Sequence, residues 1–385
     1  MRRIKLGLLA NEFFELSLGR MGGFGWAARQ LARYFPNHPE RGIDLVFFTG
    51  ELRGSRDSRE TLVHNTRLIL KQPSRIANIR SVRMERVDAL LLIDYRPNYR
   101  LICWAMPRTP IIVWVRDPRP PDDVAKVSSL RIPGDEAATP QGIMALDCTS
   151  LGTIARVSRW SGRPIAFASP EPQLRSKLTG CIGMEVDEFS FLPNPIDLQP
   201  GEVRKSRHPQ VMFLARLDPY KRPWLFVELA RRFPSVAFLL AGKNHYSGEG
   251  AWSANDLPSN LRVLGHIDGP EKVRTLSSSW MLVSTSIHEG LAVSFLEALA
   301  CETPLLASVN PGGVVSRFGI YAGRFDGSGM EALPVLSAAM EQMLSHPEML
   351  RRLGREGRAW VEDTHNWPRF LTSFDNLMTQ VGVRR

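Results

Sequence analysis

The stretch WMLVSTSIHEGLAVSFLEALACETPLLAS, Trp280 to Ser308, decides the fold class. It opens on a short apolar run, passes through Glu289 and Gly290, and enters a helical run from about Ala292. A second apolar run, TPLLAS, closes it. Strand, loop, helix and strand in this order describe a parallel βαβ unit. One residue conflicts with the pattern. Glu297 lies in the middle of a helix that otherwise reads as packed, and an unpaired carboxylate in a packed place is costly. Glu297 therefore faces solvent, pairs with a cation, or meets a polar ligand.

The same rhythm extends both ways. QVMFLARL, VAFLLAGK and LRVLGHI are further strands of this half, with helices starting at Tyr220 and Pro270. Upstream, IKLGLLA, IDLVFFTG, VDALLLIDY and PIIVWV read as buried strands, and GGFGWAARQLARYF as a helix with Trp26, Ala27, Leu31 and Tyr34 on one side. The connector after FSFLPNPID is rich in Pro, Gly and charge, so a boundary falls after Asp197. The expected fold is α/β with two Rossmann-like parallel-sheet domains, 1–197 and 198–365. Residues 117–141, rich in Pro, Asp and Ser, read as a long, partly mobile loop.

Bulk properties narrow the function. A chain of 385 residues, 43% hydrophobic and 23% charged, is globular and long enough for two domains. No apolar run approaches the length of a bilayer span. The opening MRRIKLGLLANEFFELS is too short in its apolar part for a signal peptide and reads as a first strand. Cys103, Cys148, Cys181 and Cys301 form no CxxC pair, which fits a reducing, cytoplasmic setting. The net charge of +10 admits nucleic acid, an anionic membrane face or a phosphorylated ligand. The basic residues are scattered and match no nucleic-acid module, so no nucleic-acid partner is expected.

Two clusters carry chemistry. Glu289 falls in a strand-to-helix loop at the carboxyl edge of a parallel sheet, where open α/β sheets bind ligands. Gly290 lets backbone approach closely, and the amides of Leu291, Ala292 and Val293 at the helix start suit a phosphate. Glu297, two turns on, can accept hydrogen bonds from a ribose diol. The second cluster is Arg216 at a strand end, then Asp218 and Pro219 as helix-start residues, then Lys221 and Arg222. Cations around a helix start suit a diphosphate. The plainer alternatives are a solvated basic turn and a Glu297 that pairs with an arginine.

Together these clusters resemble glycosyltransferase family 4, the group 1 enzymes of GT-B fold that take their sugar from a nucleotide. Glu289 and Glu297 fit the family's pair of glutamates eight positions apart, and Arg216 and Lys221 its Arg-x4-Lys. LPNPID, LLAGK, LRVLGHID and GRMGGFGWAARQLARYF fit in order. The resemblance implies a cleft between two facing domains, with an acceptor-binding N-terminal domain and a donor-binding C-terminal one. The last helix, about 366–385, would return to the N-terminal domain. It implies transfer from a UDP- or GDP-sugar to a hydroxyl acceptor with retention of configuration, in glycan, glycolipid or glycoconjugate synthesis. Arg216 and Lys221 would neutralise the leaving diphosphate and Glu289 would support the transition state. Glu297 would hold the ribose; Gly290, Leu291 and Ala292 the phosphates or sugar; His266 and Ile267 the base; Gly22 and Gly23 the phosphates from the other domain. No Asp-x-Asp motif occurs, so neither metal nor other cofactor is expected. The acceptor is unread. Exposed aromatic candidates at Trp104, Trp114 and Trp160 permit a lipid-linked one and peripheral contact with an anionic inner membrane face.

The sequence departs from the family in places. Arg116, followed by Asp117, stands where a His is common, and is a candidate sugar or acceptor contact. Glu302 and Ala215 replace glycines, and Pro195 another. The rival readings are an NAD-dependent oxidoreductase (GFGWAA fits G-x-G-x-x-A but is separated from its strand), a nucleotide-sugar epimerase, and a catalytically silent nucleotide-sugar-binding protein.

Overall fold

The structure is a computed structural model that describes residues 3–10, 22–53, 59–93, 95–134, 148–198, 203–244 and 256–384, the side chains of 49–53 excepted. The chain divides into two compact units. The first comprises Met1–Pro121, Ala145–Pro195 and Pro368–Arg385; the second comprises Asp122–Met144 and Ile196–Trp367.

Runs such as ALLL and IIVW are buried on both faces, which only a sheet covered by helices on both sides can satisfy. In the first unit they are strands of an eight-stranded sheet: β1 (Ile4–Leu9), β2 (Ile43–Arg53), β3 (Glu60–Val63), β4 (Thr66–Lys71), β5 (Ala89–Leu92), β6 (Ile111–Trp114), β7 (Ile165–Ser169) and β8 (Phe189–Phe191). Their order is β3-β4-β2-β1-β5-β6-β7-β8. All pairs are parallel except β3 with β4. The closing helix Trp367–Gln380 lays Phe370 beside Trp114, with ring centroids 5.4 Å apart, and Phe374 beside Phe35.

The second unit holds a six-stranded, all-parallel sheet: β9 (Gln210–Leu214), β10 (Ala237–Ala241), β11 (Leu261–Gly265), β12 (Met281–Ser284), β13 (Leu305–Ala307) and β14 (Gly319–Tyr321). The order β11-β10-β9-β12-β13-β14 is doubly wound. The chain direction across the sheet reverses between β9 and β12, and such a switch point opens a crevice at the carboxyl ends of those strands.

Several expectations change. The strands β3, β4, β7 and β14 pass unread in the sequence. Residues 117–141 are not simply a loop, because Pro121–Ser128 is a helix. Its continuation places Val127, Leu130 and Ile132 in the apolar core of the second unit, beside Leu217 and Trp224. That apolar spacing sits among prolines and acids, which hid it. The helix expected from Tyr220 starts at Pro223, after a short 3-10 turn at Pro219–Lys221. Trp114 is fully buried, its indole N–H donating to the Leu192 carbonyl, so it is not an exposed aromatic.

Candidate active site

The site is built where β9 and β12 end. The loop after β9 carries Arg216, Asp218 and Lys221; the loop after β12 carries Thr285, Ser286, His288 and Glu289. Backbone and side chains join the two loops. Thr285 Oγ1 donates to the carbonyls of Lys221 and Arg222, and the Ile287 N–H donates to the Tyr220 carbonyl.

Arg222 completes the joint and corrects one expectation. Its guanidinium is wholly buried and donates to the carbonyls of Thr285 (2.7 Å), Ser286 (3.2 Å) and Phe325 (2.8 Å). Burial pulls its pKa down to about 10 despite Asp326 and Glu331 nearby. It braces the loops from beneath and is not placed to hold an anion. Its backbone is left-handed, with φ of 47°, which ends the 3-10 turn and restarts the chain as a helix. Gly329 makes the room: a Cβ there would lie 2.5 Å from an Arg222 nitrogen.

On this frame Lys221 Nζ lies 2.5 Å from Glu289 Oε1, and Ser286 Oγ donates to the same oxygen at 2.7 Å. Burial works against the lysine's charge. The Glu289 carboxylate, with Tyr220 and Asp218, outweighs it and holds Lys221 above the usual lysine value. Arg216 stands beside Asp218, 3.3 Å from its carboxylate, and is about a quarter exposed.

The helix Val293–Ala300 follows at once, with Ala292 as its N-cap and no side chain capping it. Among the described residues the N–H groups of Leu291, Ala292 and Val293 find no acceptor. Gly290 and Leu291 are buried and Ala292 half-buried.

Glu297 is resolved by a residue the sequence reading missed. Lys272 Nζ donates to Glu297 Oε1 at 2.8 Å and lies 3.1 Å from Asp268. Burial again opposes the charge, and Glu297 with Asp268 prevails, so the Lys272 pKa is raised. The conflict noted at Glu297 is thus met by an internal cation, a lysine and not an arginine. The signal existed: Lys272 lies four residues after Asp268, one turn into the helix Gly269–Ser278. Nothing local links it to Glu297, 25 residues away. Among the described residues the second oxygen of neither Glu289 nor Glu297 accepts a hydrogen bond. His266 is exposed and Ile267 buried, just before Asp268.

A second missed contribution comes from the helix Pro121–Ser128. Asp123 reaches within 3.6 Å of Nδ1 of His288, the buried neighbour of Glu289. Lys126 from the same helix has its pKa lowered to about 8, mainly by burial, with Arg324 adding to the effect.

The remaining candidates lie in the first unit. Gly22 precedes the helix Gly23–Asn37, whose first-turn Trp26 N–H donates to the Gly22 carbonyl. A Cβ on Gly23 would meet none of the described residues within 4 Å. Arg116 is buried. It donates to Asn194 Oδ1 at 2.7 Å and stacks 4.8 Å over Trp114, while Asp117 pairs with Arg119. The first half of the glycine stretch, Gly19 to Met21, lies outside the described residues. Among the described residues no cluster of three His, Cys, Asp or Glu side chains is arranged for a metal.

Two doubly wound sheets in one chain, the second with its charged groups at the switch point, make the fold GT-B. It matches sucrose-phosphate synthase of Thermosynechococcus elongatus with a TM-score of 0.67 over 98% of this chain and 99% of that one, at 16% identity. Anabaena Alr3699/HepE in complex with UDP-glucose matches with a TM-score of 0.64 over 98% and 100%, at 11% identity. At such identities the likeness speaks for the fold alone. Residues 197–360 match the family described as glycosyl transferases group 1, and the resemblance read in the sequence is to that family. A GDP-mannose-dependent monoacylated alpha-(1-6)-phosphatidylinositol monomannoside mannosyltransferase of Corynebacterium glutamicum is 26% identical over 144 residues, 35% of this chain and 36% of that protein. The chain spans between about a third and a half of the length of the curated relatives it matches.

Proposed function

We propose that the chain transfers a sugar from a nucleoside diphosphate donor, with uracil or guanine as the base, to a hydroxyl acceptor, retaining the anomeric configuration and using no metal. The observation that carries this reading is the Lys221–Glu289 pair at the switch point, beside the open amides of Leu291 to Val293. A dianionic diphosphate leaves only where positive charge is already in place, and preorganised electrostatics is usually the largest catalytic contribution. Lys221, Arg216 and the open amides supply it. GDP-mannose, named as the donor of one relative, supports a nucleotide-sugar donor.

In this reading the bond from the anomeric carbon to the diphosphate oxygen breaks, and its electron pair stays on the diphosphate. The acceptor hydroxyl attacks the same face, and its proton passes to the departing oxygen. Glu289 faces the positive charge that develops on the sugar, with Ser286 and Lys221 fixing its rotamer. Glu297 takes the ribose hydroxyls on its second oxygen. The backbone at His266 and Ile267 meets the base, and Gly290, Leu291 and Ala292 line the phosphates. The first unit binds the acceptor.

The test is thermal unfolding with UDP, GDP, ADP, dTDP or NAD, each measured with and without EDTA. A ligand at a hundredfold its Kd adds about 2.7 kcal/mol. Stabilisation by UDP or GDP is expected. Stabilisation by NAD alone, or a nucleotide effect that EDTA abolishes, would contradict the proposal.

A further inference from the structure

The loop that bears Glu289 is held at four successive residues, and one of the holds comes from a helix far away in sequence. The Ser286 carbonyl accepts from Arg222, and the Ser286 hydroxyl donates to Glu289. The Ile287 N–H donates to the Tyr220 carbonyl. Glu289 itself pairs with Lys221. These holds come from the loop after β9 or from within the loop itself. His288 adds one of another origin. Its side chain is 3% exposed, and its Nδ1 faces Asp123 Oδ1, from the helix Pro121–Ser128, at 3.6 Å.

That helix is fastened to the second unit independently of this contact. Val127, Leu130 and Ile132 enter the core beside Leu217 and Trp224. The Gly327 N–H donates to Ser129 Oγ at 3.2 Å. Gly327 lies in the loop whose Phe325 and Ser328 carbonyls accept from Arg222 and Trp224. Asp123 and Val127 are four residues apart and so share one helix face. The face that enters the core therefore carries Asp123 to His288. The neighbouring acid makes a contrast. Asp122 shares the favourable field of the helix start but lies in water. Packing requires no acid at position 123, and a carboxylate only 16% exposed needs a polar counterpart.

We infer that Asp123 is a positioning residue for Glu289. By orienting the His288 ring it fixes the backbone from which the next residue, Glu289, reaches the sugar. At 3.6 Å the contact is longer than a direct hydrogen bond and acts electrostatically, which counts for more where water is scarce. The other three holds leave the peptide between His288 and Glu289 room to rotate; the His288 ring, anchored to a helix that is itself anchored in the core, removes that freedom. Small displacements matter here, because a reacting group misplaced by about 1 Å loses up to about a hundredfold in rate. Asp123 touches no reacting atom in this arrangement and acts through His288 alone. What Glu289 does to the sugar rests on the proposed transferase reading; that Asp123 orders the loop does not.

The experiment compares Asp123→Ala with Asp122→Ala in the full chain, by hydrogen exchange without ligand and by turnover of UDP-glucose or GDP-mannose, read as release of the nucleoside diphosphate. In Asp123→Ala the amides of residues 286–291 should exchange at least about fivefold faster, with exchange in β9 and β12 unchanged. Its kcat should fall about 10- to 100-fold while the donor KM changes less than about twofold. Asp122→Ala should alter neither. In a Glu289→Ala background, Asp123→Ala should cost less than about twofold more, since both act through one carboxylate. Asp123→Asn, nearly the same in size, repeats the comparison should the alanine lower Tm. Unchanged exchange in 286–291 overturns the inference whether or not a donor is consumed. So does a full multiplicative loss in the Glu289→Ala background, or an equal loss from Asp122→Ala. Stabilisation of the unaltered chain by UDP or GDP reports the donor reading separately; its absence would sink that reading and leave the exchange result to decide the role of Asp123.

Discussion

Two carboxylates eight residues apart each hold a half-buried lysine, and the pairs are not equivalent. Glu289 sits in a loop, and its lysine comes from the neighbouring loop at the switch point, with Ser286 as a second donor. Glu297 sits on a helix, and its lysine comes from the preceding helix, with Asp268 as a second carboxylate. The first arrangement gathers cation and hydroxyl around one acid, beside unaccepted amides. The second gathers two acids around one cation. A lysine held between two carboxylates carries less residual positive charge toward a ligand than one hydrogen-bonded to a single carboxylate. The Lys221 site is therefore suited to a diphosphate, and the Glu297 site to neutral hydroxyls.

The comparison breaks most easily at Glu289. Replacing it by Ala is expected to lower kcat by about a thousandfold, the scale of a lost transition-state contact, while binding of the nucleoside diphosphate survives. Steady-state kinetics with calorimetric nucleotide binding separates these, and near-normal turnover would remove Glu289 from the mechanism.

Lys221→Met comes next. It should weaken binding of the diphosphate by about 10- to 100-fold, the loss of a charge-assisted contact, and leave binding of the nucleoside nearly unchanged. Equal loss for both ligands would show that Lys221 acts only by holding the loops.

At the second pair, Lys272→Met should raise the donor KM by about tenfold, with kcat changed far less, because Glu297 loses its orientation and not its chemistry. Glu297→Gln in the same background should add little, since two neighbours sharing one interaction are not additive. Full additivity would separate the two residues.

Alkaline titration compares the pairs directly. Both lysines have folded values raised above the ordinary 10.5. A raised lysine contributes stability that is complete below the unfolded value and lost as pH rises through the folded one. Double-mutant coupling of roughly 1–3 kcal/mol should therefore stay constant from neutral pH to about 10 and fall beyond that, for both pairs. Chemical denaturation of the four variants at each pH measures it. A coupling already falling near pH 8 would contradict the raised values.

The smallest effect is a control. Glu302, just after the helix that bears Glu297, is left-handed, with φ of 54°, where the family commonly has Gly. Glu302→Gly should add about 1 kcal/mol of stability, the relief of that backbone strain, and leave donor KM unchanged. A shifted KM would mean that the helix bearing Glu297 moves with its C-terminal turn.

The amino-acid sequence by itself determined the parallel architecture and named Glu289, Glu297, Arg216 and Lys221. Each of these follows from short-range order. A buried strand declares itself in four or five residues, and a loop at a strand's carboxyl end declares itself by what flanks it. Tertiary structure decided the partners. That Lys272 rather than an arginine or solvent answers Glu297, 25 residues on, depends on two helices packing side by side. That Arg222 braces carbonyls while its neighbour Lys221 faces Glu289 depends on one left-handed residue, which turns adjacent side chains to opposite sides of the loop. The helix Pro121–Ser128 joins the second unit because Val127, Leu130 and Ile132 find their apolar neighbours there and not among the residues next to them in sequence. Propensity and periodicity act over one or two turns, whereas the pairing of a buried charge is settled by whichever opposite charge the finished fold brings within about 3 Å.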